Sequence, residues 1–249
     1  MPIFITFCAL SDAKGMDIKM KVWQIELKVY LKKDITMDES QTEISKIIDS
    51  CLTKDQEFLN FHNENQYKNY IFSSFYPIEK SKIYKTGKIY SVTIRTVEES
   101  LVKHFQKFLD NESSEKIKAV TLEIKVVPKK YIERIYSITP VVAKFENGYW
   151  RTNESVEVFE KRLKENLIKK YNNYSKQKII EDFDLFTFIK FDNEKPIATS
   201  YKNIKLLGDK ITLNIAENSL AQELAYFAIG TGLLEMNARG FGYVNYKWL

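Results

Sequence analysis

The first candidates for chemistry are the two histidines of this 249-residue chain, because imidazole exchanges a proton near neutral pH. His62 lies in the polar stretch LNFHNENQYKNY, just past a first helical region, where a core position is not expected. His104 lies in SLVKHFQKFL at helical spacing from Leu101 and Phe108, so it is expected at the edge of an apolar face. His62 is therefore the better candidate for a general acid or base.

A second feature is the concentration of glycine near the C-terminus. The chain has eight glycines, and Gly230, Gly232, Gly240 and Gly242 lie together in GTGLLEMNARGFGYV. Such a loop lets backbone amides approach a phosphate closely, and Arg239 would add a cationic group at its far end. The alternative is a tight structural turn that packs two elements together. It is not a nucleotide-binding P-loop, because no Gly-Lys-Ser/Thr follows and it precedes a strand.

Composition limits the classes of partner only weakly. The net charge of +5 and pI of about 8.9 favour a polyanionic partner, and basic residues concentrate in residues 68–95 and 161–178. Each window could instead be a solvated helix face or a lysine-rich sheet edge. Cys8 and Cys51 are isolated, which favours a reducing cytoplasm. No metal-ligand cluster or membrane-spanning stretch is visible, so neither metal, cofactor nor membrane is expected.

Hydrophobic periodicity predicts an α+β protein with two tandem ferredoxin-like units of order βαββαβ, and the glycine loop precedes the last strand. In the first unit, strands are expected at 20–31, 69–76, 88–96 and 119–127, and helices at 40–53 and 98–109. In the second, strands are expected at 131–144, 184–191, 210–215 and 241–248, and helices at 154–171 and 219–229. The predicted domains are 20–130 and 131–249, after an N-terminal extension, 1–19, that need not belong to the native chain.

With this architecture the sequence resembles the CRISPR-associated endoribonucleases that cut repeat RNA, members of the repeat-associated mystery protein (RAMP) superfamily. The resemblance covers the chain from Met20 and rests on several motifs in the expected order. These are YIFSSFYP (70–77), ITPVVAKFENGYW (138–150), FEKRLKENLIKKY (159–171) and the glycine loop with its Gly-x-Gly and Arg-Gly-Phe-Gly. The resemblance implies metal-independent cleavage of CRISPR repeat RNA by its 2′-OH, leaving a 2′,3′-cyclic phosphate and a 5′-hydroxyl on maturing guide RNAs.

The resemblance also implies catalytic roles. His62 matches the general base or acid, and Lys68, six residues later, matches the cation that stabilises the transition state. Many relatives carry a tyrosine on the first helix, but the matching segment TEISKIIDSCL has none. We rank Tyr67 as the third catalytic residue, because a phenol can donate a proton or bind a phosphate oxygen. Ser45, Lys46 and Ser50 are the alternatives.

RNA binding is expected at the glycine loop and in the two basic windows. Tyr84 and Tyr90 of the central hairpin in the first unit could stack bases, while the helix 157–171 could hold a backbone. The predicted RNA-binding residues are Lys82, Lys85, Lys88, Arg162, Lys169, Lys170, Gly230, Gly232, Arg239, Gly240 and Gly242.

Two other functions stay open. A non-catalytic RNA-binding RAMP subunit would hold guide RNA in a CRISPR effector complex, and the missing helix tyrosine favours it. A ferredoxin-like interaction module would bind no RNA. CRISPR repeat RNA is the expected partner, and other effector subunits or a second copy of the chain are left open.

Overall fold

The computed structural model describes residues 20–64, 66–202 and 204–249, and the side chains of residues 61–63 lie outside the described part. The predicted N-terminal extension, 1–19, lies outside it as well.

The N-terminal half forms an antiparallel sheet in which the long strand β1 is central. Its elements are β1 Val22–Leu31, β2 Ile35–Thr36, α1 Ser40–Leu52, α2 Gln56–Asn63, β3 Tyr70–Phe72, β4 Ile83–Tyr84, β5 Ile89–Thr96, α3 Glu99–Phe108 and β6 Ile117–Val127. Alternate residues of β1, such as Ile25, Leu27 and Val29, are buried, as expected for a strand with one covered face. Ile44 and Ile48 of α1 complete this core from the helical layer.

The C-terminal half repeats the arrangement. Its elements are β7 Ile132–Ser137, α4 Trp150–Asn153, α5 Val156–Ser175, β8 Phe186–Phe191, β9 Ile197–Tyr201, β10 Ile204–Gly208, β11 Ile211–Ile215, α6 Ser219–Thr231 and β12 Val244–Trp248. The strand orders are β3-β5-β1-β6 and β12-β7-β11-β8. In both sheets the first strand lies between the third and the fourth, which is the ferredoxin-like order. The predicted fold class is therefore confirmed.

Two departures from the predicted elements shape the surface between the units. The helix α2 was not predicted; it begins where the Asp55 side chain accepts a hydrogen bond from the Glu57 amide at 2.9 Å. The strand predicted at 131–144 ends at Ser137, because the chain then leaves the sheet. Beyond it, the Val142 carbonyl accepts from the Glu235 amide at 3.1 Å. Residues 138–142 thus lie beside the glycine loop.

The helix α6 joins the two units. The Tyr226 hydroxyl accepts from the Val22 amide at 3.1 Å and donates to the Val127 carbonyl at 2.6 Å, so this helix contacts the start of β1 and the end of β6, which lie side by side in the first unit. Arg95 of β5 reaches β12, where its Nη1 donates to the Val244 carbonyl at 2.7 Å. These buried contacts fix one unit against the other and hold the loop that follows α6 in place.

Candidate RNA-processing site

A cleft of about 370 Å³ lies between the two units, beside the glycine-rich loop (residues 230–244). One wall is the segment between α2 and β3, which includes Tyr67 and Lys68. The other is residues 234–239 of the glycine-rich loop, and α5 contributes Asn166 and Lys170. We call this space the loop cleft. It gathers polar groups from distant parts of the sequence on one concave surface, as binding and catalytic sites do.

Lys68 is half-buried in the first wall of the loop cleft. Its Nζ donates to the Glu64 carbonyl at 2.8 Å. Burial lowers the pKa of Lys68, Glu64 partly offsets this, and the Arg239 cation lowers the pKa further. A cation that has lost part of its water gains more from an approaching anion than an exposed one, because the local dielectric is lower. Lys68 can therefore bind a phosphate group.

His62 occupies the last turn of α2, and its side chain lies outside the described part of the structure. The helix ends at Asn63, and the next residue, Glu64, lines the loop cleft. The backbone of His62 therefore lies at the end of α2 that borders the cleft.

His104 is buried and packed among aromatic side chains of the first unit. Its Nε2 lies 2.9 Å from the Cys51 carbonyl oxygen, and its ring centroid lies 4.2 Å from that of Phe58 and 4.9 Å from that of Phe108. The residue is 5% exposed. These contacts account for a histidine at this position through packing of α2 and α1 on α3.

Tyr67 lies in the wall of the loop cleft, and its pKa is raised by burial first and then by the Glu235 carboxylate. The alternatives on α1 are differently placed. Ser45 is buried, Lys46 forms an ion pair with a glutamate one turn earlier, and the Ser50 hydroxyl donates to the Glu112 carboxylate at 2.7 Å. Of these four residues, Tyr67 is the one that lines the cleft.

Lys170 was predicted to bind RNA, and the structure corrects this. Its Nζ donates to the Gly232 carbonyl at 2.6 Å, to the Asn237 side-chain oxygen at 3.0 Å and to the Leu234 carbonyl at 3.4 Å. The residue is 3% exposed, and burial lowers its pKa to about 7, an effect that Glu235 partly offsets. All three acceptors lie inside the glycine-rich loop, so the Lys170 ammonium is engaged by the loop and leaves almost no surface for RNA.

The predicted cradle of glycine amides is also corrected. The amides of Gly232, Gly240 and Gly242 donate within the protein, to the carbonyls of Ala228 at 2.8 Å, Asn237 at 2.9 Å and Pro140 at 2.8 Å. These donors are therefore already used and cannot bind a phosphate. The glycine-rich loop directs carbonyl groups inward, toward Lys170. An anion-binding loop would instead direct amide groups outward.

Close packing explains two of the glycines. A Cβ on Gly230, which lies inside α6, would be 2.9 Å from Cγ1 of Val97 in the first unit. A Cβ on Gly240 would be 2.6 Å from Cε2 of Phe72, which belongs to the YIFSSFYP motif. Such distances are too short for a side chain, so both positions let the two units approach each other. Both glycines therefore serve to pack elements together, as the alternative expected, but Gly230 does so from within α6 and only Gly240 lies in a turn.

Arg239 remains a candidate for RNA contact. It lines the loop cleft, is 25% exposed at the side chain, and its Nη1 lies 2.5 Å from an Asp49 carboxylate oxygen. On the same face of α1, Gln41 donates from Nε2 to the Gly240 carbonyl at 2.8 Å. These two α1 residues position the loop wall against the first unit.

The basic residues of α5 point in different directions around the helix. Arg162 lies two turns before Lys170 on the same face, and its Nη2 lies 2.6 Å from the Glu235 carboxylate. Lys169 points about 100° away from Lys170 around the helix axis. It is 61% exposed at the side chain and has a glutamate carboxylate at 3.7 Å one turn earlier. The helix therefore presents Lys169 to solvent and uses Arg162 mainly to hold the loop.

The first basic window is exposed but largely ion-paired. The Lys85 Nζ lies 2.9 Å from Asp34 and the Lys88 Nζ lies 2.9 Å from Glu79, while Lys82 is exposed. Exposed ion pairs of this kind contribute little to stability, so a phosphate could replace the carboxylates.

Base stacking on the tyrosines of this window is excluded by their burial. Tyr84 and Tyr90 are 1% and 2% exposed, and their ring centroids lie 5.1 Å apart in an edge-on contact. They form part of the core of the first unit.

Within the three described stretches of chain, no group of three His, Cys, Asp or Glu side chains is placed to hold a metal ion. None of the helices in those stretches combines the length and apolar character that crossing a membrane requires.

Comparison with known proteins finds a family match for the C-terminal half of the chain and solved structures with the same fold. Residues 128–246 match the family model for CRISPR associated protein Cas6, C-terminal. A solved CRISPR associated protein Cas6 gives a TM-score of 0.67 at 20% identity, over 91% of this chain and 99% of that chain. A RAMP protein described as binding different RNA substrates gives a TM-score of 0.66 at 18% identity, over 90% of this chain and 99% of that chain. A product complex of a Thermus thermophilus Cas6 gives a TM-score of 0.59 at 11% identity, over 92% of this chain and 100% of that chain.

No curated protein sequence matches the chain. The structural likenesses show a shared fold, and the family match places the glycine-rich loop within the matched region. Residues 128–246 thus match the Cas6 C-terminal family model, and the predicted resemblance of the chain to Cas6-type proteins is confirmed.

Proposed function

We propose that the protein is a metal-independent endoribonuclease that cleaves CRISPR repeat RNA within precursor transcripts and so matures guide RNAs. The observation that carries this proposal is the loop cleft. Lys68 and Tyr67 line it opposite Arg239, and the helix that bears His62 ends at its border. A Cas6 of this fold has been solved as a product complex and a RAMP protein as one that binds different RNA substrates, which supports RNA as the ligand.

The proposed reaction needs a base, an acid and a cation. A base takes the proton of the ribose 2′-OH, whose oxygen attacks the phosphorus as the bond to the 5′-oxygen breaks. An acid protonates the departing 5′-oxygen, and a cation stabilises the negative charge that grows on the phosphate oxygens. His62 serves as the base or the acid, Lys68 as the cation, and Tyr67 as the third group.

The two units have separate roles in this proposal. The unit 20–130 supplies His62, Tyr67 and Lys68, and the unit 131–249 supplies the glycine-rich loop with Arg239 as a phosphate contact. The exposed Lys82, Lys85, Lys88 and Lys169 would add contacts to the RNA backbone, whose strength falls as salt rises.

A second candidate function is that of a non-catalytic RAMP subunit that holds guide RNA. The observation that favours it lies on α1, where Gln41 and Asp49 face the glycine-rich loop and are engaged in holding it. This face offers no tyrosine to the loop cleft. Both functions use the same cleft, so cleavage distinguishes them.

The test is incubation of the purified protein with labelled repeat RNA from its own CRISPR array in excess EDTA. We expect one cut in each repeat, with a 2′,3′-cyclic phosphate on the upstream product and a 5′-hydroxyl on the downstream product, identified by mass spectrometry. A scrambled RNA of equal length is the control. Tight binding without cleavage supports the scaffold function, and cleavage that stops in EDTA contradicts the metal-independent mechanism.

A further inference from the structure

The interior of the glycine-rich loop is organised around one side chain from another element. Lys170 of α5 enters the loop from outside, and its Nζ bonds to groups of residues 232, 234 and 237. The charged Nζ group carries three N–H donors, one for each of these acceptors, whereas the neutral amine carries only two.

Asn237 extends this contact to both ends of the loop. Its Oδ1 accepts from Lys170, and its Nδ2 donates to the Leu233 carbonyl at 2.9 Å and to the Phe241 carbonyl at 2.9 Å. Two side chains therefore hold the beginning, middle and end of the loop. The same residues, 234–239, form one wall of the loop cleft, including Arg239.

From this geometry we infer that Lys170 is a positioning residue of the RNA-processing site, which fixes the loop wall and thereby places Arg239 opposite Lys68. The inference rests on the proposed function for its catalytic readout. Loss of the Lys170 donors would leave buried carbonyls without partners, which is costly enough to rearrange a loop. A misplacement of about 1 Å in such a wall can cost roughly 100-fold in rate.

The role is distinct from RNA contact, because the Lys170 Nζ has three internal acceptors and the residue is almost completely buried. It is also distinct from the role of its neighbour. Lys169 is exposed about 100° away around α5. The two lysines are therefore matched in side-chain type, helix and sequence position but differ in burial.

The test compares Lys170→Met with the control Lys169→Met in the full-length protein. Hydrogen exchange without RNA reports on the amides of Leu233, Gly240 and Gly242, which are hydrogen-bonded in the loop. In Lys170→Met we expect their exchange to rise by about 10-fold or more while the amides of β1 stay protected. We also expect the single-turnover cleavage rate to fall by about 10- to 100-fold, with the Kd for uncleavable repeat RNA changed far less. Lys169→Met should leave loop exchange unchanged. Lys103→Met, at an exposed lysine of α3 outside both basic windows, should leave the cleavage rate unchanged.

Loop exchange in Lys170→Met equal to that of Lys169→Met, together with a cleavage rate equal to that of Lys103→Met, would overturn the inference, and so would an equal loss of affinity and rate. If Lys170→Met does not fold, Asn237→Ala is measured in the same way, because it removes one Lys170 acceptor and the two contacts to the loop ends. Since exchange is read without RNA, it decides whether Lys170 holds the wall even if the wild-type protein does not cleave. Absence of wild-type cleavage would refute the proposed function alone.

Discussion

Replacement of His62 by alanine is expected to lower the single-turnover rate of repeat-RNA cleavage by about 10²- to 10⁴-fold, the usual contribution of a general acid or base. The affinity for the same RNA with a 2′-deoxy at the cut should stay within a few-fold of wild type, because His62 acts on a proton and does not hold the RNA backbone. Rates are measured with enzyme in excess, and affinities by filter binding at one fixed salt concentration.

Two further variants make this result specific. Lys68→Ala should lower the rate by about 10²- to 10³-fold and also weaken binding, because a transition-state cation contacts the phosphate throughout. Lys103→Ala on α3, an exposed lysine paired with Glu99, controls for the loss of one positive charge. A fully active His62→Ala together with a slow Lys68→Ala would mean that another group carries the proton.

Substitution of Gly242 by alanine is expected to have the largest effect on folding. Gly242 has a φ of +75°, and a Cβ there would be 2.2 Å from the Leu233 carbonyl oxygen. The left-handed backbone and the clash together should lower the free energy of unfolding by about 2–5 kcal/mol, which urea denaturation measures. The loop that forms the cleft wall cannot close around an added methyl group at this position.

Gly87 supplies the matched control. Its φ is +78°, but a Cβ there would meet nothing within 4 Å. Gly87→Ala should therefore cost only about 1–2 kcal/mol, the price of the left-handed conformation for an alanine. Equal costs at the two positions would show that the clash at Gly242 is relieved by a small loop movement, and that the loop is less rigid than its contacts indicate.

The fold was predictable because its signals are local. Alternation in β1 and helical spacing in α1 can be read from a few residues each, and both sheets then follow the ferredoxin-like order. The helix α2, QEFLNFHN, was missed because it has only eight residues and most of them are polar. The Asp55 cap before it was the signal that could have revealed it.

The site was predicted less completely because its contacts join distant residues. A count of lysines in a window could not distinguish Lys169, which faces solvent, from Lys170, which is buried against the loop. Which of the two lysines is buried depends on how α5 is rotated relative to the rest of the fold. The Arg239–Asp49 pair and the Arg162–Glu235 pair connect separate elements and leave no local signal. Asn237, which ties the loop together, was overlooked among larger charged residues.

The most direct test of the central claim is a single-turnover reaction in EDTA with repeat RNA that carries one 2′-deoxy nucleotide on the 5′ side of the cut, beside the all-ribose RNA. If the 2′-OH is the nucleophile and the loop cleft is the active site, the wild-type protein will cut the all-ribose RNA once and leave the deoxy RNA intact while binding both equally well. Cleavage of the deoxy RNA at the same position would contradict the account, because the attacking group would then have to be water.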